Sequence, residues 1–155
     1  MNTSETLATL LEREHHQIDG GVEAFVGAKH GEDRTSELLG AIQALRRHIY
    51  LEEAMVFPSL RAAGMVAPVF VMLREHGEIW RVLDELEAGV AAGAERGALL
   101  ALCAQLAEGL DSHNMKEEQI LYPRTDGVMT AEATAELRTF FDSGELPAGW
   151  ACANA

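Results

Sequence analysis

Two histidine–glutamate pairs stand four residues apart in this chain, His48 with Glu52 and His113 with Glu117. Each pair belongs to one phrase that is spelled twice, HIYLEEAMVFP from His48 and HNMKEEQILYP from His113. Both read histidine, three residues, two glutamates, three residues, an aromatic residue and proline. Residues four apart on an α-helix differ by about 40° around its axis, so each histidine shares a face with its first glutamate. Glu53 and Glu118, one residue on, are expected to turn toward the flank. A shorter repeat precedes each phrase: EHHQI carries His15 and EHGEI carries His76, each a lone histidine three residues before an isoleucine.

An isolated His–Glu pair at this spacing is ordinarily a surface ion pair, and a lone histidine on an apolar stripe is ordinarily a satisfied core residue. Two identical pairs and two matching lone histidines, all on inward stripes, point elsewhere. Four imidazoles and two carboxylates buried without partners would cost roughly 1–3 kcal/mol per unsatisfied group. Metal ions resolve that cost, because imidazole suits iron, zinc and copper and a carboxylate can bridge two ions. The twofold pattern predicts two ions, each held by two histidines and sharing Glu52 and Glu117. Such a set leaves positions open for water, oxide or a small diatomic molecule. Mixed nitrogen and oxygen ligation with open positions favours redox-active iron over structural zinc, with manganese and zinc as other occupants.

The elements that must carry these residues are helical. Apolar residues recur at helical spacing through Leu7, Leu11, Ile18, Val22 and Phe25, with His15 on the stripe. The same holds for Leu38, Ile42, Leu45 and Ile49 with His48 and Glu52, and for Met72, Ile79, Leu83 and Leu86 with His76. A fourth run, Leu99, Leu102, Leu106 and Leu110, leads to His113 and Glu117. Polar or small-residue breaks fall at residues 29–37, at Ala63-Gly64 and at AAGAERG. The expected architecture is all-α: an up-down-up-down antiparallel four-helix bundle over residues 1–126. A C-terminal part, 127–155, adds a short fifth helix from an N-cap at Thr130 to about Phe141, then a tail that is loose or an irregular cover.

Several neighbours of the pattern have expected places. His16 should be at the surface and His30 in solvent. Gly20 and Gly21 serve either close helix approach, a ligand path or a local kink. Phe57 and Tyr122, matched before the prolines, read as packing residues that end each helix, with Tyr122 able to donate an outer hydrogen bond.

Charge and composition bound the partners. Twelve Lys and Arg against 25 Asp and Glu give a net charge of −13, which repels phosphate backbones and anionic lipid surfaces. Neither nucleic acid nor membrane is an expected partner, and no apolar run reaches the length of a membrane span. The N-terminal stretch MNTSETLATLLEREHHQ lacks the features of a secretory leader. Cys103 and Cys152 form no CxxC motif and no disulfide framework. A cytoplasmic location is the expectation.

The ordered series EHxxI, HxxxEExxx[FY]P, EHxxI, HxxxEExxx[FY]P resembles the hemerythrin-like (HHE cation-binding) family over roughly residues 5–125. That resemblance implies an antiparallel four-helix bundle around a non-haem di-iron centre with bridging carboxylates. Carried over residue by residue, its ligands are His15, His48, Glu52, His76, His113 and Glu117. The expected cofactor is two non-haem iron ions with an oxo or hydroxo bridge, and the expected partner is oxygen, nitric oxide or peroxide. Oxygen-carrying members have a further histidine four residues after the third-helix histidine, where this chain has Trp80. An indole cannot ligate iron, so one position should stay open, with Trp80 as a core filler bordering the site. Asp19, in the equivalent place on the first helix, stands where a side chain could hydrogen-bond a ligand or solvent, or bind metal, but such a role is not the first expectation for it. The set of four histidines and two glutamates more closely resembles the di-iron domain of iron–sulfur-cluster repair proteins, without their cysteine-bearing N-terminal segment. Three functions are open: binding of oxygen or nitric oxide, turnover of oxygen, peroxide or nitric oxide, and iron storage or donation as in a stress or repair protein.

Overall fold

The computed structural model describes residues 5–155. The first residues of the expected bundle, and of the stretch read for a leader, lie outside that range. The described residues are helical with no strand. Helix α1 spans Leu7–Val26, α2 Thr35–Leu51, α3 Phe57–Ala62, α4 Val66–Ala91, α5 Arg96–Lys116, α6 Tyr122–Val128 and α7 Ala131–Ser143. None of the described helices is long and apolar enough to cross a membrane.

Local chemistry sets the ends. The Thr6 hydroxyl accepts the Thr9 N–H at 3.1 Å and caps α1. Thr130 does the same for α7 through the Ala133 N–H at 3.0 Å. Helix α2 begins inside the stretch expected to be a break. Asp33 accepts the Thr35 N–H at 2.9 Å, and Arg34 pairs with Glu37 at 3.1 Å, so polar residues start the helix. The turns before α4 and α5 pass through Gly64 and Gly93, whose φ angles of 98° and 68° favour glycine.

The doubled phrase makes a structure that helical periodicity does not foretell. Between α2 and α3 the chain makes one wide π-turn over Glu52–Val56, and between α5 and α6 another over Glu117–Leu121. The N–H of Phe57 reaches back five residues to the Glu52 carbonyl, and that of Tyr122 to the Glu117 carbonyl. Pro58 and Pro123 follow at once. A proline ring has no N–H and crowds the carbonyl four residues earlier; the wide turn absorbs this without breaking the helix.

Helix α1 packs on α2, α2 on α4, α4 on α5 and α5 on α1, so four long helices enclose one interior. That interior is layered. One apolar cluster holds Ile18, Val22, Phe25, Ile42, Leu45, Ile49, Leu83, Leu86, Leu106 and Leu110. The other holds Leu7, Leu11, Leu51, Val56, Phe57, Leu60, Met72, Leu121, Tyr122 and Leu137. Helices α1, α2 and α4 pass from one cluster to the other, α5 reaches the second through the π-turn that follows it, and the histidines sit at the crossing: His15 between Leu11 and Ile18, His76 between Met72 and Ile79. Gly21 allows α1 to lie close on α2, since a Cβ there would stand 2.8 Å from the Ala41 Cβ. Gly20 faces open space.

The C-terminal residues form a packed cover. Leu137 of α7 is buried in the second cluster, and Arg47 stacks on the Phe140 ring at 4.6 Å. Beyond α7, Trp150 packs edge-on against Tyr50 and Trp80 at 5.1 and 5.6 Å. Cys152 is buried in the first cluster. Asn154 lies directly on Gly77, where any Cβ would overlap its carbonyl. Gly77→Ala should therefore lift the last residues from α4. The expected result is a loss of about 1–3 kcal/mol in denaturant unfolding, the range for overpacking, with a red-shifted Trp fluorescence as Trp150 becomes wetter. Wild-type stability and emission in that variant would mean that the tail is not held by this contact.

Candidate metal centre

His15, His48, Glu52, His76, His113 and Glu117, the six residues singled out by spacing, converge between the two apolar layers, and all six are buried. Their Nε2 atoms face inward. Glu52 Oε1 lies 3.5 Å from His48 Nε2 and 3.3 Å from His76 Nε2. Glu117 Oε1 lies 3.2 Å from His15 Nε2 and 3.3 Å from His113 Nε2. Each carboxylate thus joins the histidine of its own helix to one from the other hairpin. The imidazoles pair within hairpins, His15 with His48 at 4.8 Å and His76 with His113 at 4.9 Å between ring centres. Two donor sets result, each with its atoms within 4.8 Å of one another: Glu52, His76, His113 and Glu117, and His15, His48 and Glu117.

Outer carboxylates orient the rings. Glu14 meets His48 Nδ1 at 2.9 Å, Glu53 meets His76 Nδ1 at 2.7 Å and Glu75 meets His113 Nδ1 at 3.0 Å. Glu118 stands 3.6 Å from His15 Nδ1. The four contacts run around the bundle, and in three of them a carboxylate hydrogen-bonds the histidine of the next helix. Glu53 and Glu118 do leave the face of their own histidine, but they reach a neighbouring histidine instead of the open flank. A carboxylate on Nδ1 fixes the tautomer and makes Nε2 a better donor to metal. Glu14, Glu75 and Glu53 serve this purpose, whereas Glu118 at 3.6 Å leaves His15 Nδ1 without a hydrogen-bond partner. Sequence reasoning missed it because each partner lies on another helix.

Tyr122 was also underread. Its ring packs beside His15 at 5.4 Å, as Phe57 stacks on His76 at 5.5 Å, so both are packing residues. Its hydroxyl, however, stands inside the centre. It lies 3.0 Å from His15 Nε2 and 3.1 Å from His48 Nε2, and donates toward Glu52 at 2.8 Å and Glu117 at 3.2 Å. The signal was the residue next to the proline, where the phenylalanine of the first phrase, Phe57, is matched by Tyr122 in the second. Trp80 is packed in the core under the Arg46 guanidinium, 4.4 Å from the ring. His16 and His30 are exposed. Asp19 lies beside His15 at the mouth of a cavity.

Charge in this cluster follows from the geometry. Burial opposes a charged His113, but Glu117 and then Glu75 outweigh it and push the imidazole up to about 10. His15 and His76 are raised by the same balance, burial being overcome by Glu117 and by Glu52 respectively. Burial and then repulsion from Glu117 raise Glu52. Glu117, despite its own burial, is held well below the usual carboxylate range by His113. Burial, Glu117 and Glu52 keep the Tyr122 phenol protonated. Among the described residues, Glu52 Oε1, His76 Nε2 and Glu117 Oε2 are buried atoms with no hydrogen-bond partner. Orphaned imidazole and carboxylate lone pairs aimed at one another fit a divalent cation, which would satisfy all three.

A pH dependence follows for the metal-free protein. The three raised histidines bind protons more tightly folded than unfolded, where 6.5 is ordinary. Their contribution to stability is therefore whole below that value and is lost as pH rises, for His113 through about 10. Glu75, drawn down to about 2 by its bond to His113, acts oppositely and loses its contribution in acid. The thermal midpoint should fall by several degrees as pH rises from 6.5 toward 10. A level profile across that window would show that these imidazoles do not carry the extra protons.

No curated protein and no solved structure matches the chain. The family model of the hemerythrin HHE cation-binding domain matches residues 6–125, a span that contains all six convergent residues and both π-turns. The chain belongs to the hemerythrin HHE cation-binding family.

Proposed function

We propose that the centre holds two non-haem iron ions and that the protein binds or reacts with oxygen, nitric oxide or peroxide at an open coordination position. The observation that carries this reading is the pair of buried donor sets joined through Glu117, with lone pairs that no protein group satisfies. In this reading His15 and His48 hold one ion, His76 and His113 hold the other, and Glu52 and Glu117 lie between them. Two irons held in this way would leave room for an oxo or hydroxo group, and in this reading the four long helices run up-down-up-down. A ferrous pair would supply the electrons for reaction with a small oxidant.

The chain's own residues prepare the site. Glu14, Glu53 and Glu75 hold three rings with Nε2 inward. The apolar layers on either side exclude bulk water, so only a small ligand finds room. The Tyr122 hydroxyl, already between two imidazoles and two carboxylates, offers a proton or a hydrogen bond on the His15 side. Trp80 supplies no nitrogen where a fifth histidine would stand, which leaves the His76 side short of one ligand. Two buried, unpaired cysteines support a reducing, cytoplasmic setting. A second reading, iron storage or donation, is favoured by the net charge of −13; ready loss of iron to a chelator would distinguish it.

Reconstituted protein should contain two iron ions per chain, and His113→Ala or Glu117→Ala should lose at least one of them. Both variants should also lose most of the metal-dependent rise in thermal midpoint, because binding to the folded state is stabilising. Full iron content in both would sink the ligand assignment. Admitting oxygen to the fully reduced protein separates the chemistries: a coloured adduct reversed by removing oxygen means binding, and immediate conversion to a stable oxidised spectrum means turnover.

A further inference from the structure

The duplicated hairpins place two equivalent flanks beside the centre, and the chain treats them differently. On the His76 flank the register partners are Gly77, Trp80, Arg46, Tyr50 and Glu53. That flank is closed: Arg46 covers Trp80, Trp150 packs against Trp80 and Tyr50, and Asn154 lies on Gly77. The Ala153 N–H donates to Glu53 at 2.9 Å, bracing the carboxylate that holds His76. On the His15 flank the matching residues are His16, Asp19, Asp111, Met115 and Glu118. They line an open cavity of about 340 Å³, with Asn114 at its side. Asp19 and Asp111 also line the next cavity along the α1–α5 groove, together with Glu23.

Carboxylates on a groove are common and carry little by themselves. The second observation is His15. It is 3% exposed, it lines this cavity, and its Nδ1 has no hydrogen-bond partner, whereas the other three rings each have a carboxylate within 3.0 Å of Nδ1. One ring therefore borders both places, with Nε2 in the centre and an unsatisfied Nδ1 on the side of the mouth. Glu118, at 3.6 Å from that nitrogen and with a side chain 31% exposed, lacks the brace that Glu53 has and is free to turn toward a ligand.

We propose that the mouth formed by Asp19, Asp111 and Glu118 against His15 binds a divalent cation and is the route by which metal reaches the buried centre. Asp19 and Asp111 draw a hydrated cation into the groove, Glu118 and Asn114 replace part of its water, and His15 stands between this site and the inner donors. The sealed flank explains why loading is one-sided: an aromatic and guanidinium plug occupies there the volume that is polar and open here. The inference rests on the two-ion centre proposed above.

The test is the rate at which metal-free full-length protein takes up cobalt(II) alone, followed by its visible absorption after rapid mixing. The double variant Asp19→Asn/Asp111→Asn should fill the two positions of the buried centre to the same extent as the wild type, on the order of tenfold more slowly. Salt should slow the wild type more than the variant. Equal rates at equal final loading would overturn the intake site while leaving the centre intact. Faster loading in Trp150→Ala, with no effect of the aspartate substitutions, would place the route on the other flank and overturn it too. Failure of the wild type itself to bind two ions would remove the centre, and the intake with it.

Discussion

Four imidazoles and two carboxylates share an interior that is otherwise aliphatic, and their mutual compensation governs the rest of the molecule. A buried carboxylate is tolerated only if paired, and a buried imidazole pair only if its lone pairs and protons find partners. Without an ion, the cluster manages by uneven sharing of protons: Glu117 stays an anion beside raised histidines, while Glu52 is pushed toward its neutral form. Even so, three inward atoms remain orphaned. Unsatisfied donors and acceptors that face one another in a core fit a cation, and the apolar layers above and below confine these polar atoms between them.

The requirement reaches outward through the backbone. An imidazole is useful as a ligand only if its ring is fixed, and a ring on a helix has rotamers to lose. The carboxylates on Nδ1 supply the restraint, and each comes from the adjacent helix, so helix packing and ligand orientation are one problem. Sliding one helix against the next would break the hydrogen bond that orients an inward imidazole along with the apolar contacts. The π-turns belong to the same solution. They accommodate the prolines that follow Glu52 and Glu117, and Glu53, in the first of them, reaches His76 of a neighbouring helix. Tyr122 and Phe57 then close the layer from below with rings set against His15 and His76.

Much of this was legible in the sequence, for a physical reason. The six convergent residues sit on stripes whose period is that of the helix, and a duplicated phrase marks equivalent positions without any alignment. The six central residues, the helical class and the Thr130 cap were readable on those grounds. What could not be read depends on contacts between helices. The partner of Glu14 is 34 residues away and that of Glu53 is 23 away, distances that no periodicity encodes. The tail GELPAGWACANA has no period, so nothing in the sequence foretold its docking on Gly77. Helix α2 began earlier than the apolar pattern because its first turn is held by charged side chains.

Duplication explains the symmetry of the centre, and it also makes the departures from symmetry informative. A repeated hairpin copies both ligands and flanks, so a difference between equivalent places marks where the halves have been given different tasks. Phe57 against Tyr122 puts a hydroxyl in one half of the centre. Trp80 and Arg46 against Asp19 and Asp111 turn one flank into a plug and the other into an acidic groove. A symmetric protein with two sealed flanks would exclude water well but admit metal only by opening the bundle. One with two open flanks would load easily and leave both ions exposed to solvent. Sealing one side and charging the other meets both demands, and it does so with side chains that leave the shared set of ligands unchanged.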